Sequence, residues 1–145
     1  MMPLVEKLFI LAIGAQVMLT LVILVLMGRE RVPRVMSGEI RVADIAVERT
    51  AYPLKARLLS NSFDNQFQLP VLFFVAALLA LHVGLVGWIE VVLAWLFVGL
   101  RILHAGIHVT TNRVHRRFAA YAAGLAVLAV LWLWLLIRIL LAPSI

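Results

Sequence analysis

The sequence predicts an all-α integral membrane protein: a bundle of four transmembrane helices forming one domain over residues 1–145. Three observations predict it. Apolar residues make up 65% of the 145 and charged residues only 14%, with a mean hydropathy of +1.09. Soluble domains run near 45–50% apolar and about 25% charged, and a 16.2 kDa globule cannot hide so large an excess inside itself. The apolar residues also fall into four runs, each close to the roughly 20 residues a spanning helix requires. Finally, the basic residues gather into two of the three connections. No separate soluble catalytic domain fits, so any chemistry belongs to the bundle or its rim.

The first helix is expected over residues 5–27, an apolar stretch interrupted only by Gly14, Gln16 and Thr20 after its polar start. Lys7 precedes its apolar run and Arg29, Arg31 and Arg34 follow it. That order of charge is unlike a cleaved signal peptide, so the helix is read as retained. Residues 28–56 form a polar loop with Pro33, Gly38 and Pro53 as breakers. The second helix spans 58–86 and should bend at Pro70, which frees a carbonyl but is tolerated in membrane helices. Gly84 and Gly87 mark a tight turn into a third helix over 88–110. Arg113, Arg116 and Arg117 punctuate the turn 111–117, and a fourth helix covers 118–141.

The net charge of +6 is divided unevenly. Arg29, Arg31, Arg34, Arg41, Arg49, Lys55 and Arg57 lie in or beside the first loop, none lies in the second, and the third carries Arg113, Arg116 and Arg117. Ten of the 13 basic residues thus share one side. By the positive-inside rule, loops 28–56 and 111–117 are expected in the cytoplasm and both termini outside, in a bacterium across the inner (cell) membrane. The basic residues are read as topology signals and anion ligands, with no nucleic-acid partner. Trp88 suits an interfacial aromatic, and Arg138 can snorkel from the end of helix four. The absence of cysteine excludes disulfides, thiolate metal sites and cysteine redox relays.

Against this apolar background a few residues stand out. Arg57, Asn61 and Asp64 recur at i, i+4, i+7 and share a helical face, with Asn65, Gln66 and Gln68 extending the polar region. Such a stripe either bonds to neighbouring helices or lines a binding site. Arg101, His104 and His108 form a matching stripe on helix three. Arg101 lies nine residues, about 14 Å, from the basic end near Thr110 and needs a carboxylate or a ligand anion, with Asp64 the candidate partner. His104 and His108 have the i, i+4 spacing of a two-histidine metal site. No cysteine and no acid between them completes such a set, so no metal is expected.

The pattern Arg57-x3-Asn61-x2-Asp64-Asn65 before Pro70 is similar to the helix-two signature of the MAPEG family, the membrane-associated proteins in eicosanoid and glutathione metabolism. There it reads Arg-x3-Asn-x2-Glu-Asn. Arg101, His104 and His108 resemble the family's helix-three stripe, and the length, the four helices and the basic first loop agree over essentially the whole chain. The resemblance implies a homotrimer that binds glutathione between subunits near the cytosolic face. It also implies a membrane-embedded transferase or peroxidase-like activity on lipophilic electrophiles, through a thiolate stabilised by arginine. Arg57, Asn61, Asp64, Asn65, Arg101, His104 and His108 would then contact the glutathione, with Arg31 or Arg34 for a carboxylate. Arg113 is the favoured thiolate-stabilising residue, with Arg116 and Arg117 as alternatives. All three also serve as inside-positive anchors.

The chemistry agrees with this ligand class. Arginine forks suit carboxylates, Asp64 could hold an ammonium, and a nearby arginine lowers a thiol pKa. Two departures favour the alternative of a non-catalytic, lipid- or partner-binding homologue. Asp64 is one methylene shorter than the usual glutamate, and His108 stands where many members carry tyrosine. Self-association is expected on physical grounds too, because the polar stripes need cover; the bilayer and a lipophilic small molecule or lipid are the other expected partners.

Overall fold

The computed structural model describes residues 1–142, so the last three residues of the expected domain lie outside the described residues. It is all-helical, with helices α1 (Leu4–Met36), α2 (Leu54–Asp64), α3 (Leu69–His82), α4 (Trp88–Val109) and α5 (Val114–Leu141). α2 and α3 join through a short 3-10 turn, Asn65–Phe67, and together make one span. Four segments are therefore long and apolar enough to cross a membrane, as expected.

Several boundaries depart from expectation: the second span runs Leu54–His82 and not 58–86, and α5 starts at Val114 and not at 118, because the basic residues there are helix formers too. α1 continues past Met27 to Met36, so residues 28–36 of the expected polar loop are helical. Arginine and glutamate are good helix formers, and Glu30 pairs with Arg34 one turn on at 3.1 Å. Pro33 falls in the last turn, where only one backbone bond is lost. The helix stops at Gly38, whose φ of +76° suits glycine, while the Ser37 and Gly38 amides donate back to Pro33 and Val35. The projecting end is tied down by Lys55, 2.5 Å from Glu30, and by Arg31, whose guanidinium stacks 4.5 Å above the buried Tyr52 ring.

The second span breaks where a bend at Pro70 was expected. Pro70 has no N–H, and in a continuous helix its ring would strike the Gln66 carbonyl. The chain instead tightens at Asn65–Phe67, turns at Gln68 (φ −100°, ψ −105°) and restarts with Pro70 in the first turn of α3, where proline is suited. The Asn65 carbonyl is thereby left without its α-helical partner.

Apolar and polar cores are segregated along the bundle axis. Away from the basic loops, Phe9 and Ala12 pack with Phe73, Ala76, Ala77, Ala80, Ala94, Phe97, Leu128 and Leu131. The Phe73 and Phe97 rings stack at 4.8 Å. Toward the basic loops the buried polar residues are Gln16, Ser60, Ser62, Gln66, Arg101, His104 and His108, beside a small apolar cluster of Ile40, Tyr52 and Ala56. Gln16 Nε2 donates to Gln66 Oε1 at 3.0 Å, pinning α1 to the break in the second span.

The opposite end carries one further polar cluster. Glu90, 1% exposed, accepts from the Gly87 amide at 2.9 Å, from Trp134 Nε1 at 2.9 Å and from Arg138 Nη1 at 2.5 Å. Arg138 also donates to the Leu85 carbonyl at 2.8 Å. Arg138 was expected to snorkel. It instead closes an ion pair between α5 and the start of α4, because a buried carboxylate lies within its reach.

Candidate functional site

At the basic end, α2, α4 and α5 enclose a cleft of about 530 Å³. The last turn of α2 and the 3-10 turn contribute Asn61, Asp64 and Asn65, followed by Gln68. α4 contributes His104 and His108 one turn apart, their rings edge-on at 5.8 Å. Arg117 and Tyr121, also one turn apart, enter from α5 beside Val114 and Phe118. The break at Gln68 lets α2 present its polar face here while α3 packs in the apolar core.

Several polar atoms around the cleft have no partner among the described residues. His104 Nδ1 lies 3.2 Å from the Arg117 carbonyl, but its Nε2 is unpaired, as is His108 Nδ1. Arg117 is steadied by Asn112, whose Oδ1 accepts from Nη1 at 2.6 Å. Asn112 adopts φ +45°, a left-handed conformation that asparagine tolerates better than most residues. The α4–α5 turn therefore aims Arg117 at the cleft.

The expected pairing of Asp64 with Arg101 is not what forms. Asp64 sits on the open side of α2, its side chain half exposed, and Arg49 grips it from the preceding loop. Arg49 Nη1 is 2.5 Å from Oδ2 and Nη2 is 3.3 Å from Oδ1, a contact that raises the Arg49 pKa above its ordinary value. Arg101, 1% exposed, lies too deep for that carboxylate. Its Nη2 donates to the Asn65 carbonyl freed by the helix break, at 2.9 Å, while Nε and Nη1 remain unpaired. Arg101 thus stands behind the cleft wall and holds the break in place.

A family model, described as the MAPEG family, matches residues 9–137. The chain belongs to the MAPEG family. The match takes in the whole cleft, the second and third spans entire and most of the first and fourth. No curated protein and no solved structure matches the chain. Family membership makes this a membrane protein of the glutathione and eicosanoid metabolism type.

The remaining expected residues of this MAPEG chain are dispersed. Arg57 borders a neighbouring hollow of about 520 Å³ together with Arg49 and Asn61, and its buried Nε is unpaired. Arg31 is occupied over Tyr52, and Arg34 pairs with Glu30 and Glu39, so neither lines the cleft. Arg113 is the exposed N-cap of α5 and Arg116 faces a different groove, which leaves Arg117 as the arginine of that trio in the cleft. Among the described residues no three His, Asp or Glu side chains gather as metal ligands would.

Tyr121 escaped the sequence reading, which also gave Arg49 and Gln16 no part in the polar region. Tyr121 had a signal, its i+4 spacing from Arg117. Gln16 had one too, as a lone amide in an apolar helix. Arg49 had none, because loops lack a period.

Proposed function

We propose that the chain is a membrane-embedded, glutathione-dependent transferase or peroxidase-like protein acting on lipophilic electrophiles. One observation carries the reading: in a MAPEG protein, Asn61, Asp64, His104, His108 and Arg117 converge on a single cleft. The donor set fits a tripeptide thiol with two carboxylates and one ammonium. Asp64 suits the ammonium, Asn61 and Arg57 suit a carboxylate, and the unpaired imidazole nitrogens suit peptide groups. Arg117, not the initially favoured Arg113, is the residue to which this reading gives the thiolate. Its charge favours loss of the thiol proton to solvent. The sulfur then attacks an electrophilic carbon, forming a C–S bond as the leaving group departs or an epoxide opens. By family resemblance the protein is a homotrimer, and the positive-inside rule places the cleft at the cytoplasmic side.

The test is thiolate absorbance on adding glutathione to purified protein. Wild type should show it, Arg117→Ala should lose it, and Arg113→Ala should keep it. The loss in conjugation rate at Arg117 should be on the order of 10²-fold, the scale of removing one charge-stabilising donor. No binding heat and no thiolate signal at millimolar glutathione would sink the proposal. A non-catalytic, lipid- or partner-binding role is the second reading. It is favoured by the engagement of both Asp64 oxygens by Arg49 and by the imidazole at position 108. It requires glutathione binding and conjugation to be absent in wild type.

A further inference from the structure

A larger hollow, of about 810 Å³, lies between α4 and α5 and shares no lining residue with the polar cleft. Leu100, Leu103 and Ile107 make its α4 wall, and Gly106, Ala119 and Ala123 leave it room. Its face is open: Ile102 and Leu103 are 51% and 53% exposed. Along α4 it runs from Leu100 to Thr110, about 15 Å at 1.5 Å per residue. That is half the roughly 30 Å hydrocarbon core, the depth of one leaflet.

One end of this groove is polar and carries only positive charge. Thr110, Thr111 and Arg116 form it. The Thr110 hydroxyl is used internally, donating to Gly106 O at 2.6 Å. Thr111 and Arg116 are exposed, and Arg116 joins none of the ion pairs among the described residues. Arg113 and Arg117 flank it in the sequence, which contains no Asp or Glu after Glu90. An apolar trough one leaflet deep, ending in an uncompensated guanidinium and a free hydroxyl, has the chemistry of an anionic amphipath. The lack of any carboxylate on this part of the chain gives a headgroup ammonium nothing to pair with, so zwitterionic lipids gain less here.

We propose that this groove binds one anionic phospholipid of the leaflet on the basic side. An acyl chain lies along Leu103, Gly106 and Ala123, and the headgroup phosphate rests on Arg116 and Thr111. The site is separate from the cleft assigned to the thiol and does not depend on that assignment. It makes this face a lipid-binding surface of the protein.

Native mass spectrometry of the full chain in mild detergent tests it, with phosphatidylglycerol and phosphatidylcholine as probes. Wild type should retain phosphatidylglycerol about tenfold over phosphatidylcholine. Arg116→Gln should erase the preference. Ala119→Leu with Ala123→Leu, which fills the trough and leaves the charge unchanged, should lose the adduct while helicity and detergent solubility stay normal. Equal retention of the two lipids by wild type overturns the proposal. So does retention of phosphatidylglycerol by the filled variant, since charge alone would then hold the lipid. A second copy occupying the groove, seen as Ala123→Cys disulfide-linked subunits with no lipid adduct, overturns it as well.

Discussion

Glu90 shows how a charge is kept inside an apolar bundle. It is 1% exposed and its oxygens accept from a backbone amide, an indole and a guanidinium, so its burial is compensated. Glu90→Gln removes the charge and leaves Arg138 without its partner. The expected loss is about 2 kcal/mol, below the roughly 3–5 of a fully buried pair, because Arg138 is 33% exposed and can turn toward water. Unfolding in detergent measures it, and an unchanged midpoint would show that the pair does not hold α5 to α4. At this scale the sequence was readable where helical spacing applied. His104 and His108 could be placed on one face, and they do share the cleft. The partner of Asp64 could not be found that way. The residue that reaches it, Arg49, is fifteen positions away on an aperiodic loop, and the deeper Arg101 looked equally able.

Among the elements, the broken second span matters most to the cleft. Its apolar run and Pro70 were plain in the sequence, and a kink was the natural inference. A full break was not legible, because it depends on what receives the freed Asn65 carbonyl, here Arg101 from α4. Pro70→Ala restores the missing amide and should let α2 and α3 merge. Asn61 and Asp64 would then rotate relative to His104 and His108. The expected result is a tenfold or greater loss of glutathione affinity by calorimetry, with the protein still folded and membrane-inserted. Unaltered affinity would mean that the break does not set the cleft geometry. The end of α1 was misplaced for a related reason. Charges at Arg29, Glu30 and Arg31 signal the membrane boundary, but they are also helix formers and do not end a helix.

At the scale of the whole molecule, composition and charge distribution carried most of the fold. Four apolar runs gave four spans because lipid leaves a backbone few other ways to satisfy its hydrogen bonds. The division into an apolar half and a polar half was harder to foresee, since it depends on which positions from four spans meet at one depth. Orientation can be tested directly. The native chain has no cysteine, so single thiols at Ser37, Thr111 and Gly84 would each be the only label. In intact bacterial cells an impermeant maleimide should modify the variant at position 84 and spare those at 37 and 111. The reverse pattern would invert the topology.

The projecting end of α1 has a consequence for protease access. Arg29, Arg31 and Arg34 look from the sequence like exposed tryptic sites in a loop, but they lie within helical backbone, which a protease must unwind before cutting. Arg41 has no such protection, standing just beyond the helix in an exposed segment. Brief trypsin treatment from the basic side should therefore cut first after Arg41, leaving α1 and its projecting end in one fragment. Early cleavage after Arg29 or Arg31 would mean that the projecting end of α1 unwinds in solution.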